Sequence, residues 1–420
     1  MNAALRHRVH TALLSRADGR FPALDGLRAL AAVTVVCFHC VSWVELAYPG
    51  RIASLRLGTI QRLLSNGWMG VDVFFVLSGF LIGRILFLQL QDGGIRFRAF
   101  YVRRMFRIFP AYYVVLTVSL LCFAPLHAFA GLYRNTPWTT LLHRSPASYL
   151  FVSNYVYGGQ ATALDRGWSL CIEEHFYLVL PALLAMLFAY WPEGRRRWVA
   201  LLALAFVPLA ARAVTYVSRP RVVLMAGLYF ESHTHADGLL MGVLIAYLFV
   251  HYGAGLTRVV SRFGSSIAAA GVVCIYASFH WGGLMRPAPF PVIFQFFVLA
   301  MGCSFVLVSC LGEDNVVARL FAHRAWHPAA RISYGLYLVH PFPLFGIVLL
   351  FDVQPGRLLT SLPRFLAFAG GVLSLSFLVA AALFIWLEDP LLQHGTRLSS
   401  RLGRRGAGLA AVPEVRRAVE

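Results

Sequence analysis

Lysine is absent from this chain of 420 residues, and all 37 of its basic residues are arginine. The absence excludes a Schiff-base lysine and the phosphate-binding lysine of a Walker-type loop. Charge as a whole is scarce, because Asp, Glu, Lys and Arg together make up 13% of the residues. A soluble domain carries roughly 25%. The chain is therefore not an ordinary soluble domain.

Long apolar runs take the place of charge. Hydrophobic residues make up 59% of the chain, and a helix needs about 20 mostly apolar residues to cross a bilayer. Ten runs approach that length: 24–46, 67–90, 110–130, 175–191, 198–217, 235–251, 265–281, 290–311, 333–351 and 364–388. The sequence predicts an all-α fold, a polytopic membrane protein with about ten transmembrane helices.

The arginines are distributed unevenly between the connecting segments. With the N-terminus inside, 23 lie in inner segments and 11 in outer ones, counting Arg364 at the start of the last run as outer, and three fall within the runs. This asymmetry predicts that both termini are cytoplasmic, and that the net charge of +19 reflects orientation and not nucleic-acid binding. We expect a basic cytoplasmic tail over 1–20, one membrane domain over 21–392, and a basic tail over 393–420, disordered after a short amphipathic piece.

The first apolar run contains ionisable side chains. Asp25 and Arg28 stand at its start, and His39 follows Arg28 by eleven residues. In a helix this spacing returns the side chain to within about 20° of the same face, ~16 Å further along. Ionisable residues inside a membrane span suggest function. The alternative is that His39 only joins two helices.

Asp72, near the outer end of the second run, admits two interpretations. If the first two helices are antiparallel neighbours, its carboxylate lies at the depth of His39 and could fix the tautomer of that imidazole. It could equally cap its own helix. Cys37 and Cys40 form a C-x-x-C within the first run. They read as buried hydrophobic residues, with a redox pair as the alternative.

An arginine cluster precedes the third run and includes Arg103, Arg104 and Arg107. Arg104 and Arg107 are three residues apart and should share a helix face, where two guanidinium groups would suit phosphate groups. Contact with anionic lipid is the other interpretation.

Ionisable residues also lie at or near the ends of later apolar runs. Glu173 and Glu174 lie at the outer end of the fourth run, and because neighbours on a helix point about 100° apart, only one can face a given site.

Glu231 and His235 have a possible metal-ligand spacing, but no third ligand is near, so we predict no metal. Pro341 follows His340, whose imidazole could satisfy a carbonyl that a proline kink frees.

Six stretches, taken together and in this order, resemble the acyltransferase-3 family of integral membrane acyltransferases. They are Leu24-Asp25-Gly26-Leu27-Arg28 with His39, Gly70 to Phe80 around Asp72, Arg104-x-x-Arg107 before Pro110, Trp168-Ser169-Leu170 with Glu173-Glu174 and Phe176-Tyr177, Ser333-Tyr334 with Tyr337-Leu338 and His340-Pro341, and Glu388 with Pro390.

The resemblance implies transfer of an acyl group, usually acetyl, from cytoplasmic acyl-CoA to a sugar hydroxyl at the outer face of a bacterial inner membrane, with no permanently bound cofactor. His39 would be the catalytic histidine, Arg28 its companion, and Glu173 the acidic group that orients the imidazole. The donor site would contain Arg103, Arg104 and Arg107. The other candidate site residues are Asp25, Asp72, Tyr177, Asp237 and His340.

Two departures from the family pattern stand out. Arg166 and Gly167 precede Trp168 where many relatives have a histidine, and His235 stands where we expect an arginine ahead of Asp237. Either could reflect a different acceptor.

Several functional alternatives stay open. His39 could act as a general base on the acceptor hydroxyl or be acylated itself. A transporter or flippase of lipid-linked glycan and a membrane thiol carrier using the two cysteines are rival functions. The acceptor, a saccharide or a glycolipid, could be O-antigen, exopolysaccharide, a lipid-linked oligosaccharide, a membrane glucan or a small glycosylated metabolite.

Overall fold

The computed structural model describes residues 12–13, 21–47, 50, 52, 59–123, 138–156, 167–191, 194–218, 228–281, 289–312, 315–351 and 361–409. Within these ranges the chain is almost wholly helical and contains no strand. The all-α prediction is therefore confirmed.

Seventeen α-helices follow one another along the described ranges. They are α1 (Pro22–Ala47), α2 (Thr59–Ser65), α3 (Gly70–Gln91), α4 (Phe97–Val118), α5 (Trp138–Tyr149), α6 (Ser153–Val156), α7 (Trp168–Tyr190), α8 (Gly194–Ala205), α9 (Val207–Ser218), α10 (Asp237–Trp281), α11 (Pro289–Ser309), α12 (Val316–Phe321), α13 (His327–Arg331), α14 (Ser333–Val339), α15 (Pro341–Phe351), α16 (Leu362–Leu383) and α17 (Asp389–Leu409). Short 3₁₀ and π turns join some of them.

Eight helical segments of the described chain are long and apolar enough to cross a membrane, against ten predicted runs. Two local features account for the difference. The runs 235–251 and 265–281 both lie in α10, which non-helical backbone at Tyr252 divides. The run 333–351 is divided at His340 into α14 and α15. Pro341 lacks the N–H that would continue the helix.

Glycine residues of α3 let this helix pack closely against both α1 and α10. A Cβ atom at Gly70 would collide with the carbonyl oxygen of Ala31 in α1. A Cβ atom at Gly79 would likewise strike the carbonyl oxygen of Leu239 in α10. Small residues let membrane helices approach in this way. The contact between the first two apolar segments is confirmed. The α3 helix also borders both cavities and the buried charged cluster described below.

The C-terminal segment differs from its prediction. We expected disorder soon after residue 393, but α17 continues to Leu409 and packs along α4. A Cβ atom at Gly395 would press on the Phe106 ring, which shows how closely the two helices approach. The helix persists because its apolar face has α4 to cover it. Residues 410–420 lie outside the described ranges, as do residues 1–11 and 14–20 of the predicted N-terminal tail.

Candidate active site

The start of α1 carries a charged cluster. Arg28 Nη1 lies 3.4 Å from Asp25 Oδ1, one turn away on the same helix. His327 Nδ1 of α13 lies 3.5 Å from the other oxygen of Asp25. Asp25 therefore ties Arg28 to a neighbouring helix. Arg28 also lines both cavities described next.

The first cavity, which we call the inner chamber, has a volume of about 120 Å³ between α1, α3, α4, α7 and α14. Its polar lining comes from Arg28, Ser78, Arg104, Arg107, Ser169, Glu173, Tyr177, Ser333, Tyr334 and Tyr337. Apolar side chains form the rest. A concave space with apolar walls and convergent polar groups is the usual form of a small-molecule site.

Glu173 and Tyr177 organise the polar wall of the inner chamber. One turn apart on α7, they are joined by a 2.9 Å hydrogen bond in which the Tyr177 hydroxyl donates to Glu173 Oε2. Ser78 of α3 also contacts the Tyr177 hydroxyl, and Arg104 lies over the Tyr177 ring at 6.0 Å. Glu173 therefore faces the chamber. Glu174 does not line it, so the prediction that only one of the two faces a given site is confirmed.

The second cavity, the vestibule, is larger, with a volume of about 680 Å³. Six arginines and two aspartates line it: Arg28, Arg84, Arg104, Arg107, Arg331, Arg397, Asp25 and Asp389. The α17 helix, which we expected to be disordered beyond its first turns, supplies one side of this wall. A cavity with three times as many cations as carboxylates is suited to a polyanionic ligand.

The two cavities meet at Arg28, Arg104 and Arg107, which line both. Arg104 and Arg107 share a helix face, as their spacing predicts. Arg103, which we expected in the same site, lines neither cavity, because it is one residue and thus about 100° away from Arg104 on α4. Arg84 of α3 also lines the vestibule, and it was not among the predicted site residues. Its position inside an apolar run was the available signal.

His39 forms a pair with a second histidine. His340 Nε2 lies 3.0 Å from His39 Nδ1, and the rings stack with centroids 4.8 Å apart. His340 Nδ1 in turn hydrogen-bonds the Tyr337 carbonyl oxygen at 2.7 Å. The expectation that His340 satisfies a carbonyl at the proline break is confirmed. We expected Glu173 to orient His39, but the described contact that does so comes from His340.

The pair is connected to the inner chamber through Tyr337. The Tyr337 hydroxyl lies 2.6 Å from Ser169 Oγ, and both side chains line the chamber. His340 is fully buried behind this wall, whereas His39 is half-buried. Tyr337 thus contacts α7 through its hydroxyl and His340 through its backbone carbonyl, and His340 in turn contacts His39.

A second charged group, the sealed cluster, comprises Asp72, Arg212, His235 and Asp237, all fully buried. Arg212 of α9 donates two hydrogen bonds to the Asp237 carboxylate, at 2.6 and 2.8 Å. His235 Nε2 lies 3.1 Å from Asp72 Oδ1, while its Nδ1 lies 2.7 Å from the Tyr229 carbonyl oxygen.

Both interpretations of Asp72 are therefore wrong. Its carboxylate neither pairs with His39 nor caps α3, whose N-terminus has no side-chain cap. The glycine contacts between α3 and α10 bring it to His235 instead. Arg212, 25 residues before Asp237, supplies the arginine that we expected to find at position 235.

The remaining candidates lie apart from the cavities. Cys37 is half-buried and Cys40 is buried, and both are free thiols. His233 Nε2, not His235, approaches Glu231, at 3.4 Å. Among the described residues no group of three or more potential metal ligands occurs.

Comparison with known proteins gives relatives over most of the chain. Peptidoglycan O-acetyltransferase OatA of Listeria monocytogenes is 25% identical over 395 residues, which cover 89% of this chain and 56% of the relative. YrhL of Bacillus subtilis, provisionally named a peptidoglycan O-acetyltransferase, is 27% identical over 354 residues, covering 79% of this chain and 49% of the relative. The chain thus spans about half the length of these relatives. No solved structure matches.

The family comparison covers a similar share of the chain. The profile of acyltransferase family 3, described as an acyltransferase domain, matches residues 21–381. The matched range contains α1, α3, α4, α7 and α14, the helices that line the inner chamber. Of these, α1, α3 and α4 also line the vestibule. The protein belongs to this acyltransferase family.

Proposed function

We propose that this protein is an O-acyltransferase of the bacterial inner membrane that moves an acyl group, most readily acetyl, from cytoplasmic acyl-CoA to a sugar hydroxyl of a cell-surface or secreted glycan. The membrane acyltransferase class follows from the family. The donor, the acceptor and the orientation with both termini in the cytoplasm are the proposed part.

The observation that carries the proposal is the junction of the two cavities at three arginines. An acyl-CoA combines a polyanionic end with a long neutral arm that ends in a thioester. The vestibule, lined by six arginines, suits the phosphates, and the inner chamber suits the narrower arm. Arg104 and Arg107 would bind phosphate groups by charge-assisted hydrogen bonds.

The reaction involves three changes in bonding. The acceptor hydroxyl attacks the thioester carbon, the carbon–sulfur bond breaks, and the hydroxyl proton finally reaches the departing thiolate. His39 would take that proton as a general base, or would first carry the acyl group itself. Arg28, about 16 Å along α1 from His39, would bind the donor together with Arg104 and Arg107 at the junction of the cavities. Glu173 and Tyr177 would align the arm within the chamber.

The acceptor proposal rests on the relatives. Two of them are named as peptidoglycan O-acetyltransferases, one of them provisionally. These names support acetyl as the acyl group and a glycan hydroxyl as the acceptor. Peptidoglycan, O-antigen, exopolysaccharide and lipid-linked saccharides share this hydroxyl chemistry.

The test uses inverted membrane vesicles that contain the full chain or its His39→Ala variant, supplied with radiolabelled acetyl-CoA. We expect label in a saccharide fraction with the unaltered chain and none above background with the variant. Equal incorporation by the two, with both proteins inserted at the same level, would contradict the role of His39. Glycan movement without acetyl-CoA consumption would support the rival flippase function.

A further inference from the structure

His340 occupies a position that no part of the proposed mechanism has used. It lies in the break between α14 and α15, is fully buried, and contacts two groups of opposite kinds. Its Nδ1 lies 2.7 Å from a backbone carbonyl oxygen, that of Tyr337. Its Nε2 lies 3.0 Å from Nδ1 of His39.

The chemistry of these atoms sets the direction of each hydrogen bond. A carbonyl oxygen can only accept, so Nδ1 of His340 must carry a hydrogen. A neutral imidazole has a single N–H, and Nε2 of neutral His340 is therefore an acceptor. The hydrogen between the two rings must then belong to Nδ1 of His39. In the neutral pair this leaves the lone pair of His39 on Nε2.

We propose that His340 is a positioning residue that holds His39 in the tautomer with hydrogen on Nδ1, so that Nε2 serves as the base of the transfer reaction. The inference rests on the proposed function. As the acceptor oxygen bonds to the thioester carbon and the carbon–sulfur bond breaks, the hydroxyl proton passes to Nε2. His39 is then an imidazolium whose Nδ1–H still donates to His340, and Nε2 returns the proton to the thiolate.

Two substitutions at this position separate positioning from packing. In His340→Gln the amide oxygen reaches about as far as Nε2 and can accept from His39, but the bond to the Tyr337 carbonyl is lost. In His340→Asn the amide nitrogen keeps the bond to that carbonyl, but the side chain is too short to reach His39. The two variants thus each keep one of the two contacts of His340.

The activity measurement follows transfer from radiolabelled acetyl-CoA in vesicles matched for inserted protein. General-base catalysis contributes roughly 10²–10⁴-fold, so we expect His340→Asn to lower the rate by roughly 100-fold. We expect His340→Gln to stay within about tenfold of the unaltered chain. A rate for His340→Asn equal to or above that of His340→Gln would overturn the proposal.

The tautomer is measured separately by ¹⁵N NMR of histidine-labelled protein in lipid nanodiscs above neutral pH, with the His39 signals assigned by loss in a His39→Gln sample. We expect a protonated Nδ1 at His39 in the unaltered chain and in His340→Gln, and a mixture in His340→Asn. A protonated Nε2 in the unaltered chain would overturn the inference. If the unaltered chain transfers no acetyl group, the proposed function fails, and this spectrum alone decides the role of His340.

Discussion

The protein has two groups of charged residues in its interior, one in which the charges are paired and one in which arginines outnumber carboxylates. In the sealed cluster, Arg212 is matched by Asp237, and both nitrogens of His235 meet acceptors. In the vestibule and inner chamber, six arginines meet three carboxylates around open space. Buried charges that satisfy one another make a fold sensitive to the loss of either partner, whereas a surplus of one sign around a cavity is suited to a ligand of the other sign. We expect substitutions in the first group to alter stability and those in the second to alter activity.

The largest effect should come from Arg212→Leu. It would leave the Asp237 carboxylate buried without its bidentate partner, at a cost of about 3–5 kcal/mol. We expect little folded protein, measured as the monodisperse fraction in detergent after brief heating. The matched control is the double variant Arg212→Leu with Asp237→Leu, which removes both charges and should recover most of the loss. A single variant as heat-stable as the unaltered chain would show that the cluster is not structural.

The next effect concerns the junction of the cavities. Arg104→Gln combined with Arg107→Gln should lower acetyl transfer at limiting acetyl-CoA by roughly 100-fold, since hydrogen bonds to charged groups contribute about 1.5–3 kcal/mol. Heat stability should not fall, because the change relieves repulsion between neighbouring arginines. The control is Arg103→Gln on the same helix, which lines neither cavity. An equal loss in this control would attribute the effect to general charge at the membrane surface.

A smaller effect is expected for Asp72. Its sequence neighbours Val71 and Phe74 line the inner chamber, but Asp72 itself belongs to the sealed cluster. In Asp72→Asn, His235 can lose the proton on Nε2 and accept a hydrogen bond from the amide N–H, so stability should stay within about 1 kcal/mol, whereas Asp72→Leu leaves that nitrogen unsatisfied and should cost about 1–3 kcal/mol. Thermal unfolding of the two purified variants measures the difference. Transfer per folded molecule should match the unaltered chain in both. A loss of transfer confined to Asp72→Asn would move Asp72 into the reaction.

The smallest effect is expected for the double variant Cys37→Ser with Cys40→Ser. Both thiols lie on α1 near His39, but neither lines a cavity. Acetyl transfer in vesicles should stay within about twofold, because the proposed reaction proceeds by acid–base or histidine chemistry. Abolished transfer with normal insertion would instead support the thiol carrier.

Local spacing was enough to predict a substantial part of the site. The three-residue interval between Arg104 and Arg107 places them on one face of α4, and both line both cavities. Pro341 removes a backbone donor, so a break at His340 with a side chain satisfying a carbonyl was predictable. Each of these inferences needs only the geometry of one helix.

The partners across helices were not predictable in this way. His235 and Asp72 are 163 residues apart, and His39 and His340 are 301 residues apart. We assigned Asp72 as a possible partner of His39 from estimated depth and Glu173 from the family resemblance, whereas the structure brings His340 to Nδ1 of His39. Depth along a helix axis does not specify the direction in which a side chain points, since neighbouring helices can rotate about their axes.

The sequence by itself determined the class of this protein, its apolar segments and the identity of its ionisable residues, because the hydrophobic length and helix spacing are properties of contiguous residues. Only the tertiary structure decided which charges satisfy one another and which surround open space. That division depends on the close contacts of α3, where Gly79 admits α10 and Gly70 admits α1. These contacts fix α3 against α1 and α10, with Asp72 turned towards His235, while Arg28 on α1 and Arg104 and Arg107 on α4 face the cavities.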